Sequence, residues 1–368
     1  MDQQNKIFLM RPSVGDEEIE LVRQVVESKW LTDGPTVKEF EQAVAVQVGA
    51  KHAISATSAA IALELCLRAL GVGLGDEVIV PDFTHPATAL CVMAVGAEPV
   101  LVDVDLKTCN TTAELIEAAI TNRTKAAIPV SIFGNPLDIE PINALRDKYG
   151  ITIIEDAACS LGSALNGKPI GSLTDMTVFS FHPRKIFSMG EGGVITTDND
   201  EWAAEMNSIK RFGVKKVDGE AKFVQWGTNY RLSGILAAVG LGQVRKVDRI
   251  VEDRRTKAEY YNQLLANVPG VSLPKVLQGA KHNYQTYVIY LQQDGARDRL
   301  LKELRFRGIE VQIGTFALHL QPFFTESRRV GSLENSASLY QHLLSLPLHH
   351  ELTQEDQERV VQELRAAL

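Results

Sequence analysis

The sequence predicts an α/β protein, with a mainly parallel sheet in a large domain and a smaller α+β domain at the C-terminal end. Short apolar segments alternate with helical patterns between His52 and Thr197, which is typical of right-handed β-α-β crossovers. The chain of 368 residues is also longer than one ordinary hydrophobic core requires. We therefore expect a large domain at residues 1–248 and a small domain at 249–368, with residues 1–30 packed near the small domain.

Two helices and a strand open the chain. Residues 15–27 have an apolar face, and a second helix is predicted to begin at Thr36, because Glu39 three residues later completes a capping-box pattern. A strand at 52–57 then leads into a helix at 58–70. The N-terminus of such a helix offers free N–H groups and a favourable dipole to a phosphate, although similar turns are common in α/β proteins that bind none.

The middle of the chain continues the alternation. Strands are predicted at 77–80, 99–102, 125–130 and 151–155, with helices at 112–120 and 141–149. Gly71, Gly73 and Gly75 follow a helix and precede a strand, the reverse of a dinucleotide-binding fingerprint, so they are predicted to end the helix. Nothing near Asp103 and Asp105 completes a metal or acid–base site, and we expect both to be solvated.

Lys185 is predicted to lie in a loop between two buried strands, 176–179 and 192–197. Ser180 and His182 are its neighbours in sequence. A lysine in such a loop can lose its hydration, and a desolvated amine is the usual nucleophile towards carbonyl groups.

Asp156 follows the apolar run 151–154, at the carboxyl end of a predicted interior strand, where α/β sheets bind ligands. It precedes Lys185 by 29 residues. An acid that can pair with a pyridinium nitrogen, followed by a Schiff-base lysine, favours pyridoxal phosphate (PLP) chemistry.

The remaining elements indicate an α+β tail. A helix at 201–211 leads to a polar turn that contains Asn229 and Arg231. The elements predicted after this turn are helices at 235–244 and around 248–255, a strand at 284–291, a helix at 297–307, a strand at 310–313 and a last helix capped by Thr353 and Asp356.

Composition excludes some classes of protein. A formal charge of −8 argues against a general nucleic-acid binder, which needs a clustered positive field. No apolar run approaches the roughly 20 residues needed to span a bilayer, and the first residues lack a secretory pattern. The four cysteines show neither close pairing nor zinc-type spacing. We expect a cytoplasmic protein without a metal site, a membrane partner or a nucleic-acid partner.

Six motifs occur in a fixed order along the chain. They are Gly75-Asp-Glu-Val-Ile-Val-Pro81, Val102-Asp-Val-Asp105, Arg123-Thr-Lys-Ala126, Glu155-Asp-Ala-Ala158, Ser180-Phe-His-Pro-Arg-Lys185 and Gly190-Glu-Gly-Gly193. Together they resemble the DegT/DnrJ/StrS family of PLP-dependent sugar aminotransferases, from about Arg11 to Leu348. The resemblance implies the aspartate-aminotransferase-like PLP fold of type I, with PLP or its amino form PMP as cofactor.

The resemblance also implies roles for individual residues. Lys185 would bind the cofactor covalently and Asp156 would face its ring nitrogen. Further cofactor contacts would come from Ser58, Ala59, His85, Cys159 and Ser180, and from Asn229 of the partner subunit in a homodimer with shared active sites. Candidate substrate contacts are His182, Arg231 and His319. Glutamate would be the amino donor and a nucleotide-linked keto sugar the acceptor.

The sequence departs from the family pattern at four places. Ala60 replaces a common threonine, and the segment Ser131–Gly134 lacks the family's frequent histidine and tyrosine. Cys159 stands where glutamine, histidine or glutamate is usual, and it is a poorer hydrogen-bond donor. Ile186 replaces an asparagine that frequently follows the lysine. These differences leave the substrate open and predict altered tuning at Cys159.

Other functions remain as alternatives. An aminotransferase could act on a cyclitol or another ketone, and a protein of this fold could bind PLP as a regulator without turnover. Relatives that dehydrate sugars replace the lysine with histidine, so Lys185 argues against that reaction. A nicotinamide-dependent oxidoreductase lacks a correctly placed glycine fingerprint here.

Overall fold

The computed structural model of the protein describes residues 6–368. The helices in these residues are α1 (Asp16–Ser28), α2 (Pro35–Val48), α3 (Ala59–Ala69), α4 (Ala87–Ala94), α5 (Ala113–Glu117), α6 (Ile139–Tyr149), α7 (Asp200–Ile209), α8 (Gly234–Val244), α9 (Val247–Leu265), α10 (Ala296–Phe306), α11 (Glu334–His342) and α12 (Gln354–Ala367). Within this described part of the chain, none of them combines the length and the apolar composition needed to cross a membrane.

The strands of the same residues are β1 (His52–Ala56), β2 (Glu77–Pro81), β3 (Phe83–Thr84), β4 (Glu98–Val102), β5 (Thr124–Ala127), β6 (Thr152–Asp156), β7 (Ala164–Leu165), β8 (Lys168–Pro169), β9 (Met176–Ser180), β10 (Gly193–Thr197), β11 (Val214–Val217), β12 (Glu220–Phe223), β13 (Val271–Ser272), β14 (Ala280–Lys281), β15 (Tyr287–Leu291), β16 (Gln312–Ile313), β17 (Phe316–Ala317), β18 (Arg329–Val330) and β19 (Leu343–Leu346).

An eight-stranded sheet forms the centre of the fold, in the order β1-β10-β9-β6-β5-β2-β4-β18. Neighbours from β9 to β18 are parallel, whereas β10 runs antiparallel to both β1 and β9. The carboxyl ends of β1, β6 and β9 and the amino end of β10 therefore lie at one edge of the sheet. The residues that follow these ends are brought together there, which is where open α/β sheets bind ligands.

Helices cover both faces of this sheet. α3, α4 and α7 pack on one face, against a core that includes Ile154. α2 and α8 cover β9 and β10 on the other face, and α5 and α6 pack there against Ile153. Because successive side chains of a strand point to opposite faces, Asp156 shares the face of Ile154, and Glu155 shares that of Ile153.

A second sheet lies in the C-terminal part, with antiparallel strands in the order β13-β15-β19-β16. α9, α10 and α12 contribute Tyr261, Leu300 and Val360 to its core. Ile7 joins the same core, and its N–H donates to the Gly308 carbonyl at 2.9 Å. Between β16 and β19 of this sheet, the chain passes back to the large sheet, where β18 pairs with β4. The domain boundary at residue 248 stays a prediction.

The predicted start of the second helix is wrong. α2 begins at Pro35 rather than Thr36, its N-cap is Gly34 with φ of 98°, and no capping box with Glu39 forms. Proline suits the first helical position because its φ is already helical and its missing N–H would have had no partner. The capping box predicted for the last helix is confirmed at Thr353 and Asp356.

The expected solvation of Asp103 is also wrong. Its carboxylate is buried and accepts hydrogen bonds from the backbone N–H groups of Asn335 at 3.1 Å and Ser336 at 2.8 Å. Both donors belong to the first turn of α11, so Asp103 satisfies N–H groups that have no partner within the helix. The acid is structural, and its cap partner lies too far along the chain to be identified by local sequence.

Candidate active site

Lys185 lies in the loop between β9 and β10, as predicted. We call residues 181–189 the lysine loop. Its ends are held because Ser180 pairs with Gly193 across the two strands, and because the N–H of Met189 donates to the Phe181 carbonyl at 3.0 Å. Lys185 is half-buried and lines a cavity of about 1030 Å³ between the large sheet and the C-terminal sheet. The cavity gives a substrate access to the amine.

Cys159 and His85 line the same cavity. The Nζ atom of Lys185 donates to the Sγ atom of Cys159 at 3.1 Å. The Nδ1 atom of His85 accepts a hydrogen bond from the Ala87 N–H at 3.2 Å. Partial burial and the nearby Lys185 ammonium lower the pKa of His85. The ring is therefore neutral near pH 7, which suits stacking on an aromatic ring.

Asp156 is buried at the carboxyl end of β6, on the face covered by α4. One carboxylate oxygen accepts from the Thr88 hydroxyl at 2.8 Å, and the other accepts from the Ala158 N–H at 3.1 Å. Thr88 is in turn 3.0 Å from the hydroxyl of Thr84. These bonds fix the carboxylate, and Thr88 is a neighbour that the sequence analysis did not single out.

Glu155 lies on the opposite face of β6 and is fully buried. The Ser131 hydroxyl donates a short hydrogen bond to one of its oxygens, and the other oxygen has no partner among the described residues. Burial, together with the neighbouring Asp156, raises the pKa of Glu155 to about 7. Ser131 belongs to the segment that departs from the family pattern, and the next residues, Ile132 and Phe133, line the cavity.

The turn that we call the Ser58 turn (residues 57–60) connects β1 to α3. Ser58 is the N-cap, and its hydroxyl accepts from the Ile61 N–H at 3.3 Å. The N–H groups of Ala59 and Ala60 have no acceptor within residues 6–368, as expected for the first turn of a helix. Gly193 passes so close that a Cβ on it would overlap the Ser58 carbonyl and lie 2.6 Å from the Ala59 nitrogen.

Two residues from the C-terminal part bond to the backbone around Lys185 and Cys159. The side chain of Gln285 bonds to the peptide groups on both sides of Lys185. Asn283 donates from Nδ2 to the carbonyls of Cys159 and Leu161, both at 2.9 Å. Sequence reasoning missed both residues, since they lie about 100 positions after the lysine loop and belong to no local motif.

Other predicted contacts bond to their neighbours in the sequence. Nδ1 of His182 accepts from the Arg184 N–H at 3.2 Å, and the ring is partly exposed. Asn229 is exposed, and its Oδ1 accepts from Nε of Arg231 at 3.0 Å. Ser180 accepts from the His182 N–H at 3.4 Å. Their roles stay predictions.

His319 is held by a buried acid. Its Nδ1 atom lies 2.6 Å from Oδ2 of Asp82, and its backbone N–H donates to Oδ1 of the same residue at 2.8 Å. Asp82 is fully buried, and burial raises its pKa. The pair links the segment after β17 to the carboxyl end of β2.

These residues fit PLP. A buried carboxylate at Asp156 suits a protonated ring nitrogen, and the Lys185 amine suits the aldehyde. The free N–H groups of the Ser58 turn suit the phosphate, and Gly193 leaves the turn without a side chain pressed against it.

Comparisons with known proteins agree with this assignment. A model of the DegT/DnrJ/EryC1/StrS aminotransferase family matches residues 12–365. The structure of an aminotransferase, TlmJ from Streptoalloteichus hindustanus, is 32% identical, with 98% of each chain covered and a TM-score of 0.92. DesV from S. venezuelae, solved in complex with a ketimine intermediate, is 30% identical, with 98% of each chain covered and a TM-score of 0.89.

A third structure is that of PseC from Helicobacter pylori, an aminotransferase involved in the biosynthesis of pseudoaminic acid. It is 26% identical, covers 98% of this chain and 99% of its own, and has a TM-score of 0.92. The predicted fold and cofactor are confirmed by these similarities. The chain therefore belongs to the DegT/DnrJ/EryC1/StrS aminotransferase family and is a PLP-dependent aminotransferase.

Proposed function

We propose that the enzyme transfers an amino group from glutamate to a nucleotide-linked keto sugar, in the biosynthesis of an amino sugar. The observation that carries this proposal is the charge of the cavity into which Lys185 projects. Its charged lining residues are Lys6, Arg184, Lys185, Arg254, Arg305 and Glu310. This excess of positive charge suits a donor with two carboxylates and an acceptor with a diphosphate.

Within residues 6–368, two of these cations, Arg184 and Lys185, have neither an acidic side chain nor a backbone carbonyl as a side-chain partner. Lys6 pairs with Glu310 at 2.7 Å, and Arg254 and Arg305 donate to backbone carbonyls. The guanidinium of Arg184 and the amine of Lys185 would therefore be available to substrate anions and to the reacting carbon.

Lys185, Asp156 and His85 would each have a separate role in the transfer of the amino group. When bound, PLP supplies an electron sink for the carbanion that forms at the carbon carrying the amino group. The Nζ atom of Lys185 would take the proton from that carbon and pass it to the former aldehyde carbon of the cofactor, acting as base and then as acid. Asp156 would hold a proton on the ring nitrogen, because a fixed carboxylate favours the charged form of its partner. His85 would stack on the ring.

We further propose that Ser58 and Ala59 hold the phosphate, that Ser180 and Cys159 contribute to the cofactor site, and that His182, Arg231 and His319 reach the substrate. Ser58 caps a helix whose first N–H groups are free, which supports the first part. The His319 ring is already bonded to Asp82, so its contact with substrate would use the remaining ring nitrogen.

A homodimer with shared sites is also part of the proposal. Asn229 is exposed, and its turn is bonded to Arg211, which in turn binds Asp33. Large apolar side chains are exposed around this region, namely Trp30, Leu31, Phe212, Phe223 and Trp226. An exposed apolar surface of this kind is typical of a subunit interface. Asn229 would reach the partner's phosphate, and the enzyme would work in the cytoplasm.

The lysine can be tested directly. The purified protein with PLP should be yellow, and borohydride should fix the cofactor on a peptide that contains Lys185. Lys185→Ala should lose this adduct and all transamination, whereas Lys168→Ala, at an exposed lysine in β8, should retain both. An adduct on another lysine, or an active Lys185→Ala variant, would contradict the assignment.

The acceptor can be tested with the same protein. The PMP form should return to the PLP spectrum when a keto-sugar nucleotide is added, and glutamate should regenerate the PMP form. A panel should include cyclitol ketones and simple 2-oxo acids. Turnover of a cyclitol ketone with no response to any sugar nucleotide would overturn the sugar part of the proposal and leave the aminotransferase in place.

A further inference from the structure

The side chain of Gln285 bonds to the two peptide groups that flank Lys185. Its Oε1 atom accepts from the Ile186 N–H at 2.9 Å, and its Nε2 atom donates to the Arg184 carbonyl at 2.8 Å. One partner can only donate and the other can only accept, so the orientation of the amide is determined by its neighbours. A single buried side chain thereby fixes both ends of the lysine residue.

Gln285 is itself held by two further groups. Its N–H donates to Oδ1 of Asn283 at 2.8 Å, and its carbonyl accepts from the buried guanidinium of Arg254 at 3.0 Å. The Nδ2 atom of Asn283 also donates to the Cys159 carbonyl at 2.9 Å. One short segment of the C-terminal part therefore positions both residues of the contact between Lys185 and Cys159.

Besides the bonds to Gln285 and those at its ends, the lysine loop has few others: the Lys185 N–H donates to the His182 carbonyl at 2.8 Å, and the Ser188 N–H donates to Oε1 of Gln243 at 3.2 Å. Neither α-helix nor strand covers residues 181–189. Rotation of the peptide groups on either side of Lys185 would displace the amine at the end of its long side chain. A misplacement of roughly 1 Å at a reacting group can cost on the order of a hundredfold in rate.

We infer that Gln285 is a positioning residue that aims the amine of Lys185 at the reacting carbon by fixing the peptide groups on both sides of it. The inference rests on the proposed role of Lys185. Gln285 also lines the cavity, but both polar atoms of its amide are engaged by the backbone, so it would act on the reaction through the backbone. It also ties the reactive amine to the C-terminal sheet, since β15 begins two residues later at Tyr287.

The experiment compares Gln285→Leu, which has no hydrogen-bonding group, with Gln285→Glu, which keeps an acceptor for the Ile186 N–H and loses the donor to Arg184. Gln292→Leu is the matched control, at an exposed glutamine beyond the other end of β15. Three quantities are measured: amide hydrogen exchange of residues 181–190 in the cofactor-free protein, the midpoint pH of the visible absorption with PLP, and kcat and KM for the amino donor.

For Gln285→Leu we expect faster exchange in residues 181–190, a shifted midpoint pH, and a kcat lowered by about tenfold to a hundredfold with little change in KM. Gln285→Glu should show smaller changes of the same kind. If Gln285→Leu does not fold, the measurements on Gln285→Glu decide the question. Gln292→Leu should match the wild type. A lower Tm without any change in exchange or midpoint pH would show a merely structural role and overturn the inference.

Failure of the proposed function is a different result. It would appear in the wild type, as a borohydride-fixed adduct on a residue other than Lys185. If the adduct maps to Lys185 and the Gln285 variants behave as the wild type, only the positioning role is wrong.

Discussion

The Nζ atom of Lys185 lies 3.1 Å from the Sγ atom of Cys159, so this amine has a thiol as its hydrogen-bond partner. Thiols form weaker hydrogen bonds than amides or hydroxyls. Cys159→Gln should therefore change the visible spectrum of the PLP-bound enzyme and the pH at which it changes, with activity retained. Spectra recorded across a pH series test this, and superimposable series for variant and wild type would contradict it.

Asn229 gives a test of the shared active site. Lys185→Ala and Asn229→Ala should each lower the transaminase activity of the proposed homodimer. If Asn229 acts in the partner's site, a mixed dimer of the two variants contains one complete site. Unfolding and refolding an equal mixture should restore about a quarter of wild-type activity, since half of the dimers are mixed and each has one complete site of two.

No recovery above the sum of the two variants would show that Asn229 acts within its own subunit. Refolding each variant alone is the control, because it accounts for activity lost in the procedure.

Glu155 should make stability depend on pH. Its ordinary pKa of 4.5 rises to about 7 in the folded protein, because burial penalises the charge. Between these values the folded protein holds a proton that the unfolded chain has lost, so the free energy of unfolding falls as the pH rises. Glu155→Gln should remove this fall and gain up to about 3 kcal/mol over the wild type above pH ~8.

Thermal unfolding of both proteins at about pH 5 and at about pH 8 measures the difference. The two proteins should unfold at similar temperatures in acid, with the variant the more stable in alkali. A constant difference at both pH values would mean that Glu155 does not titrate in this range.

The bond between His319 and Asp82 should contribute to stability. His319→Leu leaves a fully buried carboxylate without its ring partner, which should cost about 1–3 kcal/mol. Because β17 pairs with Thr84, next to His85, we also expect a higher KM for the keto acceptor. Chemical denaturation and steady-state kinetics test the two parts, and an unchanged free energy of unfolding together with an unchanged KM would refute both.

Gly193 should tolerate no side chain. A Cβ there would overlap the Ser58 carbonyl, while Gly193 is fixed by its pairing with β1 and Ser58 by its place as the N-cap of α3. Gly193→Ala should weaken PLP binding and cost about 1–3 kcal/mol of stability, as overpacking usually does. Gly15→Ala, where a Cβ would meet nothing within 4 Å, is the control. Equal PLP affinity in both variants would contradict this.

Local sequence was sufficient where the determinants are local. The apolar runs at β6 and β9 and the capping box at Thr353 follow from neighbouring residues, and the structure has them as predicted. The motif order identified the family because its residues keep their spacing. The start of α2 was misplaced because the capping-box pattern at Thr36 competed with a proline that suits the first helical position one residue earlier.

Long-range contacts were not predictable in this way. Asp103 was expected in solvent, yet it caps α11, whose first N–H groups lie more than 230 residues later in the chain. Gln285 reaches the lysine loop from 99 positions away, and Asn283 reaches Cys159 from 124 positions away. Thr88 bonds to Asp156 from a separate helix. Such pairs depend on tertiary packing, which no periodicity in the sequence records.

The bond from Ile186 to Gln285 joins residues that are 99 positions apart. A ribosome delivers the chain from its N-terminal end, so the central strands can pair before Gln285 has been synthesised. During that interval the lysine loop lacks its support from the C-terminal part. We therefore expect nascent chains to acquire vitamin B6 late, after release, and truncated translation products to remain colourless.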